Sequence, residues 1–179
     1  MPANGSDAPR RQRKILCERI FQSFPEVVYR GVILAGGDQN AATPHPFHME
    51  DLLHNLKSKC WTQVPPEFVE RQLGSFIHLT AGAFAAYIPA WLLYSLAHEN
   101  HGAEFVAYTF APEDAHGKTV IRPLSVEMCR ALTPLQRRAL LDFLIYQSEY
   151  LASDAMADRA AAAVDAVASL IAIFEPGPA

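Results

Sequence analysis

Apolar residues recur at helical spacing through most of the chain, and the elements follow from where that spacing starts, stops or changes. From about Arg10 to Phe24, Ile15, Leu16, Ile20, Phe21 and Phe24 form an amphipathic stripe that Pro25 ends, so a helix is predicted over 10–23. A second is predicted over 49–58, with Leu52, Leu53 and Leu56 turned inward. Pro66 with Glu67 opens a short helix whose acidic first turn suits the helix dipole. In the last third, Thr133, Pro134 and Gln136 form a capping box with proline at the first helical position, starting a helix over 134–150. Ser153 or Asp154 caps a final helix over 154–174, in which Met156, Ala160, Ala163, Val167, Leu170 and Phe174 share one face.

Two stretches break this pattern. Between Arg71 and Glu99 no Lys, Arg, Asp or Glu occurs, so SFIHLTAGAFAAYIPAWLLYSLA (Ser75 to Ala97) is either a membrane span or the centre of a core. Thr80 reads as an N-cap inside the run, which leaves about 18 residues of helix against the ~20 that a span needs. Only the Phe, Ile and Leu residues favour insertion, each by about 0.3–0.6 kcal/mol, while Ala, Gly, Ser, Thr, His, Pro, Tyr and Trp add little or oppose it. Phe84, Tyr87, Trp91 and Tyr94 share one face, and Gly82, Ala86 and Ala90 form a small-residue stripe elsewhere. A central bundle helix from Thr80 to His98 is therefore expected, kinked or split at Pro89, which lacks a backbone donor. The second break, His98 to Ser125, is ambiguous: EFVAYTF fits a strand or a helical turn, and TVIRP reads as extended. The turn formers from Val32 to Pro46 predict a loop.

The expected fold is all-α or nearly so: a single-domain helical bundle over 10–175 around a central Pro-kinked apolar helix. A disordered leader over 1–9 and a tail over 176–179 complete it. Half of the 179 residues are hydrophobic and 19% are charged, enough for one core without staples. The net charge of −4 conceals an asymmetry, because Arg10, Arg11, Arg13, Lys14 and Arg19 leave everything after them acidic. That argues against a nucleic-acid partner and reduces the basic run to a solvated helix start. Cys17, Cys60 and Cys129 have no metal or redox spacing and no secretory signal precedes them, so a cytoplasmic location with reduced, packed thiols is expected.

Trp61-Thr62-Gln63-Val64-Pro65, the run Leu79-Thr80 with Phe84, Tyr87, Pro89, Ala90, Leu92 and Leu93, and Leu132-Thr133-Pro134 with Gln136-Arg137, Ala139, Phe143 and Leu144 resemble a bacterial family of small uncharacterised proteins. The resemblance extends from Trp61 to about Tyr146 and departs at Ala81, where that family commonly has Pro, and at Ala85-Ala86. It implies a mostly helical intracellular domain. Relatives of this general kind resemble products encoded near contact-dependent toxins, which implies an immunity-like or binding role.

Candidate chemistry is sparse. Glu50 or Asp51 with His54, aided by His45 or His48, and His98, His101 and Glu104 have metal-compatible spacings, but HENH is not the H-E-x-x-H of metalloproteases. Solvated loop and helix-end histidines are the simpler reading of both, and His78 on its apolar run reads as a hydrogen-bonded core residue. Cys60 and Cys129 lack a local histidine partner for nucleophilic work, and Gly36-Gly37-Asp38 is a turn rather than a phosphate cradle. No catalytic, metal or cofactor residue is assigned. The expected function is non-catalytic protein binding, as an immunity-like or accessory subunit, with an acidic surface offered to a basic partner and homo-oligomerisation open; the alternative is a metal-dependent hydrolase built on one His/Glu cluster. Neither nucleic acid nor membrane is an expected partner.

Overall fold

The computed structural model describes residues 7–35, 46–115, 118–151 and 153–176. Eight helices run through them: α1 Asp7–Ser23, α2 Pro46–Leu56, α3 Pro66–Arg71, α4 Ala81–Ala97, α5 Ala103–Phe110, α6 Pro123–Ala131, α7 Pro134–Tyr150 and α8 Asp154–Phe174. A two-stranded antiparallel hairpin, β1 Glu113–Ala115 and β2 Lys118–Val120, is the only strand pairing of any length among them. Short 3-10 turns at Trp61–Gln63 and Ser75–His78 complete the path. The domain is all-α apart from that hairpin.

Helix α4 is the hub, packing on α1, α3, α5, α6 and both 3-10 turns, while α7 lies along α8 and α1. The expected N-cap is real: Thr80 accepts from the Ala83 amide, and the buried run begins there. Phe84, Tyr87, Ile88, Trp91 and Leu92 are almost wholly buried, each apolar body contributing roughly 1.5–3 kcal/mol. Their polar ends are satisfied. The Tyr87 hydroxyl donates to the Leu56 carbonyl at 2.8 Å, and the Trp91 indole N–H donates to the Gln72 carbonyl at 2.9 Å. Trp61 does the same to Pro25 at 3.2 Å, tying the α1 exit to the first 3-10 turn. No helix among the described residues is long and apolar enough to cross a membrane.

The small-residue stripe packs within the chain at its start, since a Cβ on Gly82 would come within 2.6 Å of the Tyr29 hydroxyl oxygen. The Thr133–Gln136 capping box is formed, worth about 1 kcal/mol to α7, and Ser153 rather than Asp154 caps α8. The predicted face of α8 holds, with Ala160, Ala163, Val167 and Leu170 buried.

Several expectations need correction. Helix α1 begins at Asp7, so the leader loses its last three residues to the helix; residues 1–6 lie outside the described residues, as do 177–179 of the tail. Leu16 and Ile20 of α1, with Phe24 just past its end, form a buried row at four-residue spacing, which leaves Ile15 and Phe21 exposed on its flanks. Leu53 is likewise exposed while Leu52 and Leu56 are buried, and α2 runs Pro46–Leu56 rather than 49–58. Of the two readings open for EFVAYTF the helical one holds, as α5, because Gly102 in the left-handed region ends one turn and opens the next helix. TVIRP divides: Thr119 and Val120 are extended in β2, but Arg122 is the N-cap and Pro123 the first residue of the unpredicted α6. Pro89 lies inside an unbroken α4 rather than splitting it. His78 is exposed, because the Ser75–His78 turn carries it outward before Thr80 restarts the helix. The glycine turn at 36–38 lies outside the described residues.

A candidate binding cleft at the end of the central helix

The end of α4 is held by an unusual turn. Glu99 and Asn100 take φ of 52° and 67°, and Gly102 takes 83°. Consecutive left-handed non-glycine residues are each unfavourable by about 1–3 kcal/mol and persist only where neighbours fix them. Asn100 supplies the fixing: its side-chain amide donates to the Tyr150 carbonyl at 3.1 Å and its oxygen accepts from the Gln147 amide at 3.2 Å. A Cβ at Gly102 would meet the tip of the Leu73 side chain at 2.6 Å, which would have to shift, and the φ of 83° strains any larger residue there.

This turn sets two compartments side by side. The first is an apolar groove of about 290 Å³, lined by Phe21 of α1, Trp61, Val69 of α3, and Ala90, Leu93 and Tyr94 of α4. Phe21 is 52% exposed, yet its ring lies 5.0 Å from that of Trp61. The second compartment, of about 660 Å³, is lined by Glu70, Glu99, Asn100, His101, Glu104 and Met156 among others. Tyr94 and His98 line both and form the partition, their rings stacked at 4.1 Å and 20°.

The electrostatics of the second compartment are one-sided. Glu70, Glu99 and Glu104 are its formally charged side chains, no Lys or Arg lines either compartment, and none of the three makes an ion pair with a described residue. His98 Nδ1 is 2.8 Å from the Tyr94 carbonyl, which can only accept, so in the neutral ring Nδ1 carries the proton and Nε2 is left as an acceptor. Burial, and next the Glu70 carboxylate, push the Tyr94 phenol up from its ordinary value, so it stays neutral. Carboxylates, an imidazole acceptor and a neutral phenol beside an apolar floor suit an incoming cation.

Of the histidine clusters read from sequence, His98, His101 and Glu104 do line one compartment. Among the described residues, however, no three His, Cys, Asp or Glu side chains stand close enough to hold a metal. At the other cluster, Asp51 accepts from Asn55 at 2.8 Å, His54 lies in the last turn of α2, and His45 and the His48 side chain lie outside the described residues. Cys60 and Cys129 are buried; desolvation, against the opposing Arg137 charge, pushes the Cys129 thiol up to about 11, so at neutral pH it is no thiolate nucleophile. Phe21, Trp61, Glu70, Tyr94 and Glu99 were not foreseen as a site. The detectable signal was ENHG after an apolar helix, where Asn and Gly tolerate the left-handed region.

A family model described as a family of unknown function matches residues 41–170 and so takes in Trp61 to Tyr146. No curated protein and no solved structure matches the chain.

Proposed function

Because the chain belongs to DUF6714, a family of unknown function, we propose its role from the cleft itself: a non-catalytic protein-binding module that serves as an accessory or immunity-like subunit and takes a basic protein partner. The observation that carries this reading is the trio Glu70, Glu99 and Glu104, uncompensated by any lining cation and set beside an apolar groove. Complementary charge steers encounter and selects partners, while desolvated apolar contact supplies affinity. The turn that carries Glu99 is fixed by Asn100, and Glu70 and Glu104 stand on α3 and α5, so little ordering is left for the moment of binding. An intracellular location is part of the same proposal, given free Cys17, Cys60 and Cys129.

The test is capture of partners from the native host at low salt, with wild type and the triple variant Glu70→Gln, Glu99→Gln, Glu104→Gln. The expected result is a stoichiometric basic protein, held about tenfold more weakly by the variant and released as salt rises. A partner that is acidic, or one indifferent to the variant, would overturn the reading.

A further inference from the structure

We infer that the cleft recognises a bipartite segment of its partner: one apolar side chain seated against Phe21, Trp61 and Leu93, with a Lys or Arg two residues along the same segment reaching Glu99 and Glu104. This rests on the protein-binding reading and narrows it to the chemistry of the bound segment. Three observations carry it. The compartments share Tyr94 and His98, so a single short ligand enters both at once. The apolar one, at about 290 Å³, is at the lower end of ligand pockets and suits a side chain.

Spacing supplies the third. The His101 ring, inside the acidic compartment, is 6.5 Å from that of Tyr94 on the partition. In an extended chain two residues rise about 6.6–6.8 Å and return the side chain to the same face. One two-residue step therefore matches the reach from the partition into the acidic compartment, and that sets the i and i+2 spacing proposed for the apolar residue and the cation. The cation gains from both sides of its new setting. It meets carboxylates that make no ion pair with a described residue, and His98, with its Nε2 acceptor, lines the same compartment. Phe21 completes the apolar side: about half its surface is open, so the core does not need its outer face, yet its ring closes on Trp61 and forms one wall of the groove.

The probe is a displayed library of random twelve-residue peptides selected against the full chain. Enriched sequences should carry an aromatic or aliphatic residue two positions from Lys or Arg. Binding of the selected peptides should weaken about tenfold in Phe21→Ala, in Ala90→Leu, which adds bulk to the groove lining on α4, and in the pair Glu99→Gln, Glu104→Gln. Only the last variant should also lose salt dependence. Failure to enrich, enrichment without a basic residue, or affinities within twofold across all three variants would overturn the inference. Its failure is separable from that of the function: a basic protein that responds to the triple glutamine variant but ignores Phe21→Ala and Ala90→Leu leaves the function standing and removes the bipartite motif.

Discussion

Replacing Asn100 by Ala tests whether the turn after α4 is a held structure. The substitution removes the hydrogen bond to the Tyr150 carbonyl, worth about 1 kcal/mol net. It also strips the partner from the Gln147 amide, which is fully buried and whose Oε1 already lacks a protein partner among the described residues, a loss of about 1–2 kcal/mol. Alanine at φ 67° adds about 1–2 kcal/mol of left-handed strain. The sum is roughly 3–5 kcal/mol. Asn100→Gly loses the same hydrogen bonds but not the backbone conformation, so it should be the milder change by about 1 kcal/mol. Urea unfolding followed by tryptophan fluorescence, with the slope checked for constancy, measures both. An alanine variant within about 0.5 kcal/mol of wild type, or a glycine variant less stable than the alanine one, would refute the reasoning.

Two further outcomes follow from the packing and the buried thiol. Ala163 is fully buried on α8 while Ala161 is exposed, so Ala163→Leu should cost about 1–3 kcal/mol by overpacking and Ala161→Leu should change stability little, both read as calorimetric Tm. Cys129 is held up at about 11 against an ordinary 9.0, so between those values the unfolded chain has released a proton that the folded chain keeps. Its contribution is therefore complete below pH 9 and is lost as pH rises to 11, by roughly 2–3 kcal/mol, with the raised Tyr87 and Tyr146 acting in the same direction. Unfolding free energies at pH 8 and pH 10.5 should show a smaller alkaline fall in Cys129→Ala; an equal fall would refute the assignment.

Where a feature of the fold depends on neighbours within one turn, the residues announce it. Thr80, Thr133 and Ser153 cap the helices that follow them because a hydroxyl finds an amide three residues on, whatever the tertiary context. The face of α8 is equally legible, since its buried positions repeat cleanly. What was misread depends on which partner each apolar residue meets. Ile15, Phe21 and Leu53 fit a helical stripe as well as their neighbours do, yet the core takes only the row at four-residue spacing. Helix α6 was missed because Pro123 after an extended Arg122 looks the same whether the chain continues extended or begins a helix there. The cleft was out of reach for a different reason: Phe21, Trp61, Glu70 and Tyr94 come from four elements, and only the packing of α1 and α3 on α4 makes them neighbours. Local spacing instead pointed to histidine pairs, of which one set does line the cleft without forming a metal-holding trio among the described residues.

The most direct test of the cleft as the binding site is hydrogen–deuterium exchange of the full chain with and without its captured basic partner. Added protection is expected around Phe21 and in two stretches, residues 61–70 and 93–104, with the rest of the bundle unchanged. Protection confined to another face, with both stretches exchanging as in the free protein, would contradict the assignment of the cleft as the binding site.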